Sequence, residues 1–177
     1  ETKDSLDYME SVRHARDMAL TENDLNSIKE ELIQSGYIRR HLERGKKPQK
    51  AKLSNAPYHY ISSDGYDLYV GKNNLQNDEL TFHFADGGDW WFHAKGIPGS
   101  HVILKASGKE LPDRVFEEAA ALAAYYSKGK ENDKVEIDYV EKKQVKKPAG
   151  AKPGFVVYYT NYSMIATPDI SALTPAE

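Results

Sequence analysis

Two short segments of the sequence, "DWWFHA" and "HVILKA", bring residue types that bind ligands or catalyse reactions close together. Side chains along a β-strand point alternately to the two faces of a sheet. If the two segments pair as a hairpin, one face is apolar and the other carries Asp89, Trp91, His93 and His101. We predict a solvent-facing patch on which a nucleobase stacks, with a contribution of roughly 1 to 3 kcal/mol per base. The alternative is a structural cross-strand pair, with Trp91 covering an apolar edge.

A catalytic interpretation of the same residues is weaker. Asp89, His93 and His101 could bind a metal or act as an acid/base pair in hydrolysis, but the sequence has neither HExxH spacing nor a serine in a nucleophile-elbow motif. The chain has no cysteine, which excludes thiolate catalysis, cysteine-ligated metals and disulfides. We therefore predict a non-enzymatic domain without a metal or other cofactor.

The segment "VGKNNLQND", residues 70–78, is rich in amide side chains. Asn and Asp bond to nearby backbone groups in turns, so Gly71 and Asp78 are predicted to shape a turn, with Asp78 capping a helix that begins at Glu79. A turn does not explain the presence of Lys72 or of several consecutive amide side chains. Such groups hydrogen-bond to base edges and to phosphate or sugar oxygens of nucleic acids. The residues predicted to bind RNA here are Lys72, Asn73, Asn74 and Asn77.

A lysine-rich segment, "KKQVKKPAGAKPG", covers residues 142–154 without an acidic residue. Its prolines and glycines disfavour a helix. Charge runs are commonly solvated loops, but repulsion among like charges is relieved when phosphates neutralise them. Each phosphate contact contributes about 0.7 to 0.9 to the slope of log affinity against log salt. The lysines predicted to bind RNA are Lys142, Lys143, Lys146, Lys147 and Lys152.

The elements that must position these residues follow from periodicity. Residues 1–42 are predicted to form a helical hairpin with one apolar stripe through Leu6, Met9 and Val12 and a capping box at Thr21 and Asp24. The second helix continues the stripe through Leu25, Ile28 and Leu32, and Gly36 suits its C-terminal cap. Residues 43–57 are predicted to be a basic linker.

Residues 58–177 are predicted to be the main domain. "YHYIS" and "YDLYV" flank an Asp-Gly turn, Pro98 and Gly99 suit a type II turn, and residues 112–128 have the pattern of a helix that packs on a sheet. The segments "KVEIDYV", "FVVYYT" and "SMIAT" are predicted strands. The predicted fold class is α+β, a mixed or antiparallel sheet with a packed helix.

Composition agrees with one core and an appendage. The chain has 177 residues, 40% of them hydrophobic, with a net charge of -3. Residues 1–45 hold 7 of the 24 basic and 10 of the 27 acidic residues, which leaves 17 of each in the remainder. The net charge alone would argue against nucleic-acid binding, so any attraction for phosphates must come from local clusters of positive charge. The chain begins at Glu1, and we expect it to be a piece of a longer protein.

Three motifs together resemble a known family. "VGKNNLQNDELTF", "DWWFHAKGIPGSHVIL" and "VKKPAGAKPGFVVY" are similar, in this order, to the NFACT-R domain of the RqcH/NEMF family of ribosome quality control proteins, with "AKPGFVVYYTN" closest to its bacterial branch. The similarity spans about residues 58–169, and "EELIQSGYI" resembles the end of the family's coiled coil. The family pattern falls on Gly71, Lys72, Asn73, Asn77, Asp78, Asp89, Trp91, His93, Pro98, Gly99, Ser100 and His101. Of these, the residues predicted to bind RNA in addition to the amide-rich segment are Asp89, Trp91, His93, Ser100 and His101.

The resemblance implies a cytoplasmic RNA-contacting module. Its partners would be tRNA, the ribosomal RNA of stalled large subunits and other domains of the parent protein, and the bacterial parent would promote C-terminal alanine tailing of nascent chains. Members of the same family have also been labelled fibronectin-binding surface proteins, which leaves protein binding as an alternative.

Overall fold

The computed structural model describes residues 2–37 and 56–176. The predicted linker therefore lies outside the described residues except for its last two positions. The α-helices and strands, in chain order, are α1 Thr2–Met18, α2 Glu22–Gln34, β1 Tyr58–Ile61, β2 Asp67–Val70, α3 Asn74–Glu79, β3 Trp90–Ala94, β4 Val102–Leu104, α4 Asp113–Tyr125, β5 Val135–Glu141, β6 Tyr162–Ala166 and β7 Thr174–Pro175. A short π-helix at Leu80–Phe84 follows α3, and a 3₁₀-helix at Lys142–Gln144 follows β5.

The seven strands form one open sheet in the order β6-β5-β3-β4-β2-β1-β7, and every neighbouring pair is antiparallel. The predicted α+β class and the N-terminal helical hairpin are confirmed. The predicted strand at residues 155–160 is wrong, because this segment pairs only through an isolated bridge between Val157 and Lys146.

The main core lies between the sheet and α4. Phe92 and Leu104 from the central strands pack in it with Val115 and Leu122 of the helix, all fully buried. The predicted apolar faces of β3, β4 and α4 are therefore confirmed. The helix is shorter than predicted, since Pro112 takes the N-cap position and the helix ends at Tyr125.

The opposite face of the sheet is also covered. Trp91 and Ile103 pack there with Leu80 and Val145, and Tyr158 lies against them. Two segments cover this face: residues 80–85, which precede β3 in the chain, and residues 145–158, which follow β5. The prediction of a solvent-facing patch is therefore wrong.

The helical hairpin packs through only part of the predicted stripe. Val12 and Ile28 are buried as predicted, and Leu32 packs beside them. Tyr8, Val12 and Ala15 of α1 are buried against Ile28 of α2, with Phe155 of the main domain beside them. Leu6, Met9 and Leu25, three of the predicted stripe residues, are exposed. The predicted capping box is present: the Thr21 side chain accepts from the backbone N–H of Asp24, and the Asp24 carboxylate accepts from that of Thr21.

Two predicted turns have different outcomes. Gly65 has a φ of 88° between β1 and β2, as expected for an Asp-Gly turn. The type II turn at Pro98 and Gly99 is wrong, because Gly99 lacks the positive φ that the turn requires and Gly96 carries it instead (69°). Gly99 forms a bridge with Ser127. Within residues 2–37 and 56–176, no helix is long and apolar enough to cross a bilayer.

Candidate nucleic-acid interface

Three rings meet on the covered face of the sheet. The rings of Trp91 and His93 are nearly parallel, with centroids 5.7 Å apart, and the His101 ring stands at right angles to both, at 5.2 Å and 5.6 Å. The antiparallel pairing of β3 with β4 brings these positions together, as predicted. Trp91 is 1% exposed and His101 is 2% exposed, so the predicted open stacking platform does not exist.

Hydrogen bonds fix both imidazoles. Nε2 of His93 lies 3.2 Å from the carbonyl of Gly99, and Nε2 of His101 lies 3.1 Å from the carbonyl of Gly154. Because a carbonyl only accepts, Nε2 is the protonated nitrogen in each ring. Nδ1 of His101 then accepts from the Thr81 hydroxyl at 2.8 Å.

Both histidines are held neutral. Burial lowers the pKa of His93. Burial also lowers the pKa of His101 well below its ordinary value, and the nearby His93 and Lys147 add to the effect. The two rings therefore present apolar faces at neutral pH, and no positive charge.

A cavity of about 420 Å³ opens over these rings. Its walls come from β3, the loop at residues 96–99, the segment 154–158 and the outer face of α1. Phe155 and Tyr158 add two more rings, and Tyr158 is held by donating a 2.7 Å hydrogen bond to the buried Asp138. The cavity thus combines aromatic rings with charged and polar side chains of α1 and α3, such as Asp7, Glu10 and Asn74.

One polar atom in the wall lacks a partner. Nε1 of Trp91 is buried, and no described residue accepts its hydrogen bond. Nδ2 of Asn73 is the other such atom in the described part of the chain. Buried donors are normally satisfied in folded proteins, so each of these two needs an explanation.

The amide-rich segment forms α3 rather than a turn. Asn73 is the N-cap, and its side chain accepts from the backbone N–H of Gln76 at 2.9 Å. Gly71 passes so close to Asn77 that a Cβ at this position would overlap the amide oxygen. The predicted capping of a helix by Asp78 is wrong, because Asp78 lies inside α3. Its carboxylate instead accepts from the backbone N–H of Gly154 at 2.8 Å.

Asn74 joins α3 to the helical hairpin. Its backbone N–H donates to one oxygen of the Glu31 carboxylate at 3.2 Å, and its side-chain amide donates to the other oxygen at 2.8 Å. The same amide group donates to Ser11 at 2.9 Å, and the Tyr8 hydroxyl donates to Glu31 at 2.8 Å. Glu31 is fully buried, and burial raises the pKa of this carboxyl although these hydrogen bonds oppose the shift.

Lys72 also faces the hairpin. Its ammonium group lies 3.5 Å from the buried carboxylate of Asp24 and 4.5 Å from the ring centre of Tyr58. Sequence reasoning missed Tyr8 and Glu31 as partners of this segment, because a buried glutamate on an amphipathic helix has no local signal. Only the proximity of two distant segments shows the pairing.

Asp89 and Ser100 are buried structural residues here. Burial alone would raise the pKa of Asp89, but a 2.6 Å bond from Lys105 and bonds from the backbone N–H groups of Ser107, Asp86 and Ala106 lower it overall. Ser100 is 2% exposed, and its backbone N–H donates to the carbonyl of Tyr126. Asp89 thus bonds to the turn after β4, and no described group of three metal-ligating side chains includes it.

The five lysines of the 142–154 segment divide into two sets. Lys147 is anchored: it pairs with Asp78 at 3.1 Å and donates to the carbonyls of Lys152 and Phe155. Lys152 lies over the rings of Tyr8 and Tyr37, and its amine bonds to the Tyr37 hydroxyl.

The remaining lysines are Lys142, which is half-buried, and Lys143 and Lys146, which are exposed. Lys143 pairs with Glu141 at 3.2 Å but keeps more than half of its side chain exposed. Neither Lys142 nor Lys146 has a side-chain partner among residues 2–37 and 56–176. These three ammonium groups are available to a ligand.

Comparisons with known proteins show the family of this chain. A family model described as "NFACT protein RNA binding domain" matches residues 56–160. The "Rqc2 homolog RqcH" of Streptococcus pneumoniae is 47% identical over 171 residues, 96% of this chain and 30% of that protein. The relative of the same name in Bacillus subtilis is 43% identical over 146 residues, 82% of this chain and 25% of that protein. The chain thus spans less than a third of these relatives.

A solved structure has the same fold. It is described as the C-terminal of the fibronectin/fibrinogen-binding protein from Streptococcus suis (FBPS), with a TM-score of 0.83, 43% identity, and coverage of 95% of this chain and 65% of that one. The family model covers more than half of the chain, and the relatives named RqcH align with nearly all of it. This chain therefore belongs to the family of NFACT protein RNA-binding domains, as an RqcH-like member.

Proposed function

We propose that this chain is the RNA-binding module of a ribosome quality control factor. In this proposal it contacts tRNA and ribosomal RNA of stalled large subunits in the cytoplasm, while the parent protein promotes C-terminal alanine tailing. The family match and the RqcH relatives support the RNA-binding role in ribosome quality control. The module binds and positions RNA, and it carries out no chemical step itself.

The observation that carries the proposal is the set of three available lysines. Lys142, Lys143 and Lys146 follow β5 within five residues, whereas Lys147 and Lys152 are held by internal contacts. Lys142 and Lys146 have no compensating partner among the described residues, and the ion pair of Lys143 with Glu141 is exposed to solvent. Ammonium groups of this kind neutralise phosphates and release counterions on binding. We assign the phosphate contact to these three lysines, and we assign the anchored pair to the shape of the loop.

The other predicted RNA-binding residues take supporting roles in this proposal. Asn73, Asn77, Asp89 and Ser100 are buried and bonded within the domain, so they shape the loops that meet RNA. Lys72 and Asn74 hold the helical hairpin in place. Trp91, His93 and His101 form the floor of the cavity.

The test is fluorescence-anisotropy binding of the chain to tRNA and to large-subunit RNA fragments over a salt series. In the variant Lys142→Ala/Lys143→Ala/Lys146→Ala, the slope of log affinity against log salt should fall by about 2 to 3, since each phosphate contact contributes about 0.7 to 0.9. The matched control is Lys109→Ala/Lys128→Ala/Lys134→Ala, which removes the same charge from other exposed loops. If the salt slope fell equally in both variants, the effect would depend only on net charge, and the assignment of the phosphate contact to these three lysines would be wrong.

Protein binding is the second candidate, because the solved structure of similar fold is named for fibronectin and fibrinogen. Immobilised fibronectin and fibrinogen can be presented to the chain in the same buffer series. Binding that survives the triple lysine variant, together with no measurable RNA affinity, would favour this function over the first.

A further inference from the structure

An open groove lies on the α4 side of the sheet, between the first turns of the helix and the edge strand β6. Its walls carry partly exposed aromatic rings, from Trp90 of β3, Tyr139 of β5, Tyr162 of β6 and Phe116 of α4. Its volume of about 350 Å³ falls within the range of roughly 300 to 1,000 Å³ that is typical of ligand pockets. None of the lysines assigned to RNA lines it. We infer that this groove binds an arginine side chain from an extended, basic segment of a protein partner.

The rings of the groove form one surface across three strands. The pairing of β5 with β6 places Tyr139 opposite Tyr162, and their rings stack with centroids 5.5 Å apart. The Trp90 ring lies 6.0 Å from Tyr139 and 6.2 Å from Tyr162. Because β6 is an edge strand of the sheet, Tyr162 is open to solvent and is 60% exposed. Contiguous exposed apolar surface of this kind marks interaction sites.

Two carboxylates give the groove a negative charge. Asp113 and Glu117 lie one helical turn apart on α4, and both line the groove with exposed side chains. Neither forms an ion pair with another residue of the ranges 2–37 and 56–176, and the cation of the same turn, Arg114, pairs with Asp64 instead. Burial is the main cause of the raised pKa of Tyr139, and the nearby Asp113 carboxylate adds to it. The field over the rings therefore favours a cation.

A planar cation matches both the rings and the carboxylates. A guanidinium group stacks on the faces of aromatic rings and donates paired hydrogen bonds to a carboxylate. Its aliphatic stem packs on apolar surface, which Met164 and Phe116 supply beside the rings. The ammonium group of a lysine has the charge but no planar face. RNA suits this groove less well, because its phosphates would meet Asp113 and Glu117.

The edge position of β6 favours an extended partner. An edge strand presents unpaired backbone N–H and C=O groups along one side, and extended peptides bind such edges by adding a strand. Tyr162 and Met164 of β6 face the groove, whereas Ile165 lies on the other face of the sheet and is 60% exposed. A segment along β6 would thus place an arginine over the groove and an adjacent apolar residue beside Ile165.

The test titrates the chain with the peptide acetyl-Thr-Val-Arg-Val-Thr-amide in ¹H–¹⁵N spectra, in which the variant Trp90→Phe identifies the Trp90 indole signal. The expected result is a saturable shift of this signal and of the backbone amides of β6. The same peptide with citrulline, which keeps the shape of arginine without its charge, should bind at least about five-fold more weakly. Tyr162→Ala should weaken binding of the arginine peptide by about two- to five-fold. Asp113→Asn/Glu117→Gln should weaken it by about three- to ten-fold.

The matched control is Glu131→Gln/Asp133→Asn, which removes two exposed carboxylates outside the groove. If this variant weakens binding as much as the groove variant does, the peptide responds to net charge and the site is overturned. Equal affinity for the arginine and citrulline peptides, or no shift with either at millimolar concentration, overturns it as well. If hexauridylate moves the Trp90 signal and the arginine peptide does not, the groove belongs to the RNA-binding surface and the inference fails. The lysine-dependent RNA binding proposed above is measured separately, so it stands or fails independently of these results.

Discussion

Replacing Asn74 by alanine distinguishes a structural role of the amide-rich segment from direct contact with RNA. The substitution removes the hydrogen bonds of the side-chain amide to Glu31, at 2.8 Å, and to Ser11, at 2.9 Å. A hydrogen bond to a charged group contributes about 1.5 to 3 kcal/mol and a neutral one about 0.5 to 1.5 kcal/mol. We therefore expect Asn74→Ala to lower the free energy of unfolding by about 2 to 4 kcal/mol.

The loss should depend on pH through Glu31. Burial raises the pKa of this carboxyl above its ordinary 4.5, while the bonds from Asn74 lower it, so the substitution raises the folded-state pKa further. The folded protein then holds its proton to higher pH than the unfolded chain does, and stability falls as pH rises from about 4.5 through the folded-state pKa. The deficit of Asn74→Ala relative to the wild type should be larger at pH 8 than at pH 5.

Urea unfolding followed by circular dichroism measures the free energy, and hydrogen exchange of α1 and α2 reports whether the hairpin has loosened. Asn26→Ala, an exposed amide on α2, is the control. Glu31→Leu combined with Asn74→Ala removes both polar partners and should recover part of the loss, since a buried pair is costly mainly when one partner is missing. A change below about 0.5 kcal/mol with a clear loss of RNA affinity would refute the docking role.

Three further substitutions or conditions test the interior of the site. The free energy of unfolding should fall as pH drops below 6.5. His93 and His101 have lowered pKa values in the folded state, so at these pH values only the unfolded chain takes up protons on them. His101→Gln should therefore reduce the slope of the free energy of unfolding against pH by up to about 1.4 kcal/mol per pH unit. Gly71→Ala should destabilise the chain by about 1 to 3 kcal/mol in thermal unfolding through overlap with α3, and an unchanged melting temperature would contradict the close approach. Asp89→Asn should cost about 2 to 4 kcal/mol, because it removes the closest opposite charge to Lys105 and one of the two oxygens that accept hydrogen bonds; Lys105→Met in that background should restore part of the loss.

The sequence predicts one face of the sheet better than the other. Alternation along β3 and β4 places Trp90 and Phe92 on one face of the sheet. The helix that follows β4 has a strong apolar stripe, which must pack against an apolar face, so α4 is expected on the side of Trp90 and Phe92. The same alternation put Trp91 on the opposite face, but it does not say whether that face meets water. The cover comes from residues 80–85, most of which form a short π-helix after α3, and from residues 145–158, which pair only through an isolated bridge. Neither segment indicates from sequence alone that it packs on this face.

Buried polar residues account for the errors in the helical hairpin and the amide-rich segment. The hydrophobic pattern of α1 and α2 pointed to Leu6 and Leu25, which are exposed, because the buried side of the hairpin contains Asp24 and Glu31. Burial of charged groups requires partners from elsewhere in the chain. Those partners are Lys72 and Asn74, whose amide-rich neighbourhood by itself is equally typical of a turn or of a ligand site.

One six-residue helix links the hairpin, the cavity and the lysine segment. From α3, Asn74 bonds to the hairpin, Asn77 accepts from the backbone N–H of His101 at 3.1 Å, and Asp78 accepts from that of Gly154. Because Gly154 in turn accepts from the His101 ring, a displacement of α3 moves the cavity floor and the start of its 154–158 wall together. The amide cluster is therefore needed at the site although its own side chains are buried. It fixes the position of the hairpin relative to the cavity and the lysine segment.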